Sequence, residues 1–180
     1  MKIVSSTLKR AAGPSLVAGL VVVSLATPAA AQTPGSTAFR IFGGLAGVQA
    51  RSGVNNQVTA TVSGGRLILS DTTGIAVGPG CTRVTGNPNS ADCGSVLTVT
   101  RLAIALGDGD DTFDGSAVFI NTTVDAGTGT DSVKTNGRND LVGVQDNAGG
   151  DSVDCGGGTD TVFADPGDTN ITNCEVRYNS

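Results

Sequence analysis

The sequence predicts an all-β protein, a short parallel β-solenoid preceded by a β-hairpin region. Three observations predict it. Helical periodicity is missing after the first 31 residues, two alternating runs flank a glycine pair, and short glycine-acid turns recur along the C-terminal half at a step of 20 residues. These turns read Gly107-Asp-Gly109-Asp-Asp111-Thr-Phe113, Gly127-Thr-Gly129-Thr-Asp131-Ser-Val133 and Asn147-Ala-Gly149-Gly-Asp151-Ser-Val153. A second series, Asn136-Gly-Arg-Asn-Asp140-Leu-Val142 and Gly156-Gly-Gly158-Thr-Asp160-Thr-Val162, runs between them at the same step. Two interleaved registers of one period describe a coil with two turns, and such coils bury their apolar faces only by stacking.

Residues 1–31 read as a secretory signal peptide. Lys2, Lys9 and Arg10 supply a positive start, Leu16 to Leu25 a short apolar stretch, and Ala29-Ala30-Ala31 a small-residue cleavage site before Gln32. The apolar stretch is too short to favour a membrane-spanning helix, and no second one follows, so the expected mature protein is secreted and has no membrane span. Without these residues, eight basic side chains face sixteen acidic ones, a net charge of −8. Fourteen acids lie between Asp108 and Glu175 against only Lys134 and Arg138, a local charge of −12 that excludes nucleic acid as a partner and attracts cations.

Residues 32–37 form a linker, and residues 38–100 a β-rich region. Gln57-Val-Thr-Ala-Thr-Val62 and Arg66-Leu-Ile-Leu-Ser70 both alternate, with Ser63-Gly64-Gly65 as the turn between them. All four cysteines follow the signal. They allow three pairings, and proximity favours Cys81 with Cys93 and Cys155 with Cys174. Export favours disulfides, and a tetra-cysteine zinc site would show tighter spacing. Histidine is absent, which removes the commonest general base and transition-metal ligand.

Residues 101–180 carry the repeats. Aligned at the 20-residue step they give three apolar columns: Ile104, Val124, Val144 and Ala164; Phe113, Val133 and Val153; Thr122, Val142 and Val162. Each coil then divides into nine and eleven residues. The last coil departs from the pattern at Ala164-Asp-Pro-Gly-Asp168, and Cys174 follows Cys155 by 19, which reads as a cap on the open end.

The turns carry the candidate chemistry. Glycines allow positive φ, so backbone carbonyls can be directed to one point where an aspartate adds a charged oxygen, a hard donor set suited to Ca²⁺. The candidate ligands are Gly107, Gly109 and Asp111; Gly127, Gly129 and Asp131; Gly149 and Asp151; Asp140; and Gly156, Gly158 and Asp160. Asp108, Asp110 and Asp114 are candidate auxiliary ligands or solvent-facing charges. Stacked coils would put Asp131 about 5 Å above Asp111. Two carboxylates there repel by about 1 kcal/mol in water and about 3–4 kcal/mol at an effective dielectric of 20, which a cation would relieve. The competing reading is structural, since Asp and Asn form turns without any metal.

The turns built on Asp111, Asp131 and Asp160 resemble the hemolysin-type calcium-binding (RTX nonapeptide) repeat, and the segments around Cys81, Cys93, Cys155 and Cys174 resemble its secreted actinobacterial relatives. The resemblance covers roughly residues 55 to 177. It implies a right-handed parallel β-roll or β-helix with Ca²⁺ between the turns of Asp111 and Asp131, Asp131 and Asp151, and Asp140 and Asp160. Two features depart from that family: the coil exceeds two nonapeptides by two residues, and the expected export signal is N-terminal.

The expected function is therefore a secreted, non-enzymatic calcium-binding repeat protein, with calcium ions as its partners. A metal-independent structural or adhesive module is the alternative. An enzyme ranks third. Paired carboxylates can hydrolyse glycosides, but the repeats offer no long cleft, no tryptophan and only Tyr178 for sugar stacking. Asn121-Thr-Thr123 and Asn170-Ile-Thr172 match the N-glycosylation pattern.

Overall fold

The computed structural model describes residues 33–179, so the expected signal peptide lies outside the described residues. No helix among them is long and apolar enough to cross a membrane. The chain opens with two hairpins, β1 (Ser36–Ile41) with β2 (Leu45–Ala50) and β3 (Gln57–Ser63) with β4 (Arg66–Asp71). The short strands β5 (Ile75–Val77), β6 (Thr82–Arg83) and β7 (Ser90–Ser95) follow. Nine repeat strands then alternate between two sheets: β8 (Arg101–Ala105), β9 (Thr112–Asp114), β10 (Asn121–Asp125), β11 (Ser132–Lys134), β12 (Leu141–Gly143), β13 (Ser152–Asp154), β14 (Thr161–Ala164), β15 (Asn170–Thr172) and β16 (Val176–Asn179).

One sheet runs β16-β14-β12-β10-β8-β2-β1-β5 and the other β15-β13-β11-β9-β3-β4-β7-β6. The repeat strands pair in parallel throughout, and β2 and β3 join them in parallel at β8 and β9. The N-terminal hairpins are thus continuous with the solenoid-like stack.

The β3–β4 hairpin closes where the sequence placed its turn. Gly64 and Gly65 have φ of 56° and 74°, and an added Cβ would touch nothing at either. Backbone conformation alone therefore requires glycine there, as in turns with two positive φ values that match strand twist.

Inward residues alternate with outward ones, as in the buried Thr122 and Val124 of β10 and the buried Phe113 of β9. The core columns differ from the sequence alignment in one respect. Thr123 pairs with Leu141, and Val124 with Val142, a step of 18 between β10 and β12, whereas β8 to β10 and β12 to β14 step by 20. The columns are therefore Ile104-Val124-Val142-Val162 and Leu106-Ala126-Val144-Ala164, and Thr122 lies below Asp140 rather than below Val142.

The cause is the placement of two longer links. Most passages between sheets take nine residues, as from Ala103 to Thr112, Thr123 to Ser132 and Ser132 to Leu141. The passage from Thr112 to Thr123 takes eleven, and so does that from Leu141 to Ser152, but they cross in opposite directions. The extra pairs of residues therefore alternate sides instead of accumulating on one.

Both ends of the stack are covered. Arg83 donates to the carbonyl of Ile75 on the edge strand β5 at 2.5 Å and to that of Pro88. At the other end Arg177 donates to the Asp168 carbonyl at 2.6 Å. Both expected disulfides are formed, Cys81–Cys93 and Cys155–Cys174, the second joining the end of β13 to the segment before β16.

Phe113 is among the largest fully buried side chains, and it stacks between Val58 and Val133. Phe113→Ala is expected to cost about 3–5 kcal/mol, measured as a shift of the urea midpoint at unchanged slope.

Candidate functional site

The recurring aspartates occupy the position just before β9, β11, β12, β13 and β14, on the inward face. Asp111, Asp131, Asp140, Asp151 and Asp160 are all at least 96% buried. They form two ladders, but the rungs are joined by hydrogen bonds to main chain. The carboxylate of Asp111 accepts from Asn56 N at 2.6 Å, that of Asp131 from Asp111 N at 2.9 Å, and that of Asp151 from Asp131 N at 2.7 Å. Asp168 ends this ladder by accepting from Gly150 N and Asp151 N, each at 3.1 Å. In the second ladder, Asp140 accepts from Thr122 N at 2.7 Å and Asn136 N at 3.2 Å, and Asp160 from Asp140 N at 2.6 Å. Glu175 ends it on Asp160 N at 2.8 Å.

Each carboxylate thus holds an N–H of the coil before it. The carbonyls of the same residues also face forward: Asp111 O accepts from Ser132 N, Asp131 O from Ser152 N and Asp140 O from Thr161 N, at 2.9–3.0 Å. The turn leaves both peptide groups of one residue pointing at the next coil, and a strand partner can satisfy only the carbonyl. The side chain one coil later supplies the missing acceptor, without which the buried N–H would cost about 1–3 kcal/mol.

The glycines have a geometric role in the same turns. Gly127 and Gly129 have φ of 94° and 139°, and an added Cβ would lie 1.7 Å and 2.1 Å from the carbonyl oxygens of Gly107 and Gly109. Successive turns approach too closely for any side chain, and the Gly107 carbonyl accepts from Thr128 N at 2.9 Å. Gly156 and Gly158 approach the carbonyls of Asn136 and Arg138 in the same way. Gly149 differs: Gly150 takes the positive φ of 121° in that turn, while Gly149 packs against Gly167.

The auxiliary carboxylates stay outside. Asp108 accepts from Gly53 N at 2.8 Å, Asp110 from Thr130 N at 2.9 Å, and Asp114 from Ser116 N at 2.9 Å. Several residues of the ladders escaped the sequence reading. Asn56 and Thr122 begin them, while Asp168 and Glu175 end them from the irregular last coil. Asp146 and Asp165 brace the adjoining turn, Asp165 accepting from Asp146 N at 2.7 Å and Asn147 N at 2.9 Å. Asp168 and Glu175 fall off the 20-residue step, and Asn56 precedes the first repeat, so neither end of the ladders carries the periodic mark.

The second carboxylate oxygens are less well served. Oδ2 of Asp111, Asp131 and Asp160 is buried with no hydrogen-bond partner. Burial, reinforced by neighbouring carboxylates, pushes Asp111 up to about 6 and Asp131 up to about 7, against the opposing effect of the N–H each accepts. Burial raises Asp140, Asp151 and Asp160 as well.

The arrangement is a structural turn motif whose spare oxygens could coordinate a cation. The donors are hard oxygens, the type Ca²⁺ takes. Among the described residues no three His, Cys, Asp or Glu side chains group to hold a metal. No protein family, curated protein or solved structure compared with the chain matches it.

Since the folded-state values lie above the ordinary carboxylate range, these groups favour folding below an unfolded pKa of about 3.9. That contribution is lost as pH rises through about 6 for Asp111 and about 7 for Asp131. In chelator the protein is therefore expected to melt higher at pH 5 than at pH 8. Asp131→Asn keeps an acceptor for Asp111 N without the charge and should flatten this difference. Asp131→Ala strands that N–H and should lose about 1–3 kcal/mol at pH 5, and less at pH 8, where the buried charge is removed with it.

Proposed function

We propose that this chain is a secreted, non-enzymatic structural module: a metal-independent β-solenoid, built as a right-handed parallel β-roll, that acts outside the cell as a rigid spacer or adhesive element. One observation carries the reading. Every ladder carboxylate is engaged by main-chain N–H groups of the adjacent coil, so the turns have a structural role that needs no ion. Both disulfides support an oxidising, extracellular setting.

Calcium binding in the manner of the hemolysin-type repeat is the second reading, and a specific observation favours it. The partnerless Oδ2 atoms of Asp111 and Asp131 in one ladder and of Asp160 in the other would contribute to separate ion sites, and the ions would neutralise the buried charge. The two readings differ in the sign of their pH response. A ladder that needs an ion loses it on acidification, whereas a ladder that needs protons gains stability.

Melting followed by circular dichroism at pH 7.5, in excess EDTA and in millimolar Ca²⁺, separates them. The structural reading expects the two midpoints to agree within about 2 °C. A rise of more than about 5 °C in Ca²⁺ would establish calcium as part of the fold, since a ligand at 100 times its dissociation constant adds about 2.7 kcal/mol.

A further inference from the structure

Two surfaces outside the ladders are built unlike the rest of the exterior. The first is the turn joining β1 to β2, where Phe42 is fully exposed and Ile41 half exposed, beside the 3₁₀ turn Val96–Thr98, where Leu97 is 90% exposed. These turns form one unit. Thr100 donates from N to the Gly44 carbonyl at 2.8 Å and from Oγ1 to that of Gly43 at 3.1 Å, and Arg40 donates to Thr98 Oγ1 at 2.5 Å. An open groove of about 600 Å³ runs beside them between Arg40, Ile41, Phe42 and the Pro79-Gly80 turn. The surroundings are basic: from Thr33 to Thr100 four arginines face two aspartates, of which Asp71 is buried and Asp92 is paired with Arg66.

The second surface is the outer face of β12, β14 and β16. Leu141, Phe163 and Tyr178 are 40%, 38% and 54% exposed there, and the two aromatic rings stack with centroids 5.1 Å apart. Gly143 sits beside Phe163 in the same row and Asp125 beyond it, so the stacked rings rise next to a step without side chains and then a carboxylate. From Arg101 onward fourteen acids face four bases, and with the seven buried acids (Asp111, Asp131, Asp140, Asp151, Asp160, Asp165 and Asp168) set aside the balance is still acidic, seven against four.

Exposed apolar side chains are ordinary singly, but grouped at a rigid turn or an outer sheet face they mark contact surfaces. Here one chain carries two such groups, at opposite ends of the stack and in surroundings of opposite charge. We infer that they are two halves of one contact: the Ile41-Phe42-Leu97 tip of one copy docks on the Leu141-Phe163-Tyr178 platform of a second. The partner is a second copy because both the apolar complement and the charge complement of the tip are found on this chain. The contact joins different surfaces, so it leaves one tip and one platform free in every pair and extends by adding copies. It uses a turn and an outer sheet face rather than a sheet edge.

Sedimentation velocity over a wide concentration range tests this with the purified protein. Mass is expected to rise with concentration at low salt and to fall on adding salt, as screening shortens to about 3 Å at 1 M. Phe42→Asp with Leu97→Asp should lower the association constant by about tenfold or more, as charge is placed in an apolar contact. Leu141→Asp should do the same, and it leaves the Phe163–Tyr178 stack in the cap untouched. A tip variant mixed with a platform variant should give dimers that grow no further, because one intact tip meets one intact platform. A monomer at every concentration overturns the inference, as does association unaffected by either variant, or a mixture that fails to pair while the parent associates.

Discussion

The structure depends on one hydrogen bond repeated at every coil, from the N–H of the residue before a strand to the carboxylate one coil further on. Parallel strands of three residues leave few ladder bonds of their own. The turn preceding each strand must be tight enough to stack, and that tightness swings the N–H out of strand pairing. An acceptor has to be brought in by a side chain, short enough to stay in the corner and oriented by its own strand. Aspartate meets both conditions, and its second oxygen is left over as a consequence.

That surplus sets the electrostatics. An amide in the same place would offer the acceptor without a charge but would bring an NH₂ needing partners of its own. Asn136 shows this: its Nδ2 is accommodated by the Ile120 carbonyl at 2.8 Å and Thr122 Oγ1 at 3.0 Å, contacts that exist at only one turn. Aspartate has no such requirement, at the cost of burying acids in a column. The column tolerates this by holding its protons more tightly than ordinary carboxylates do, which ties stability to pH through desolvation more than through pairwise repulsion.

Much of this was legible in the sequence, for identifiable reasons. The 20-residue recurrence of Asp111, Asp131 and Asp151 placed them in one column, and that of Asp140 and Asp160 in another, because parallel pairing preserves a constant step. The β3–β4 hairpin was readable because strict alternation and a glycine pair have few other uses. What the aspartates face was not readable. The residue at Asp111 is inward by alternation with Phe113, yet a charged side chain next to glycines suggests an outer edge and an ion. The register slip at β10–β12 was hidden too, since two eleven-residue passages separated by nine-residue ones reproduce a uniform 20 on the other sheet. The ends were hidden for a different reason: Asn56, Asp168 and Glu175 complete the ladders from outside the repeat and bear no periodic mark.

The ladder bond has a direction. Every ladder carboxylate reaches back to the coil made before it, and none of them reaches forward. A coil emerging from a ribosome or a membrane pore is therefore one acceptor short until its successor arrives, and a chain cut anywhere within the repeats ends on a rung whose N–H has nothing to hold it. Only the stretch containing Asp168, Cys174 and Glu175 closes the series, since its carboxylates finish both columns while its cysteine locks to Cys155. Sealing of both columns therefore rests on the short stretch from Asp168 to Glu175, and the coils before it hold their last N–H groups only once that stretch has docked.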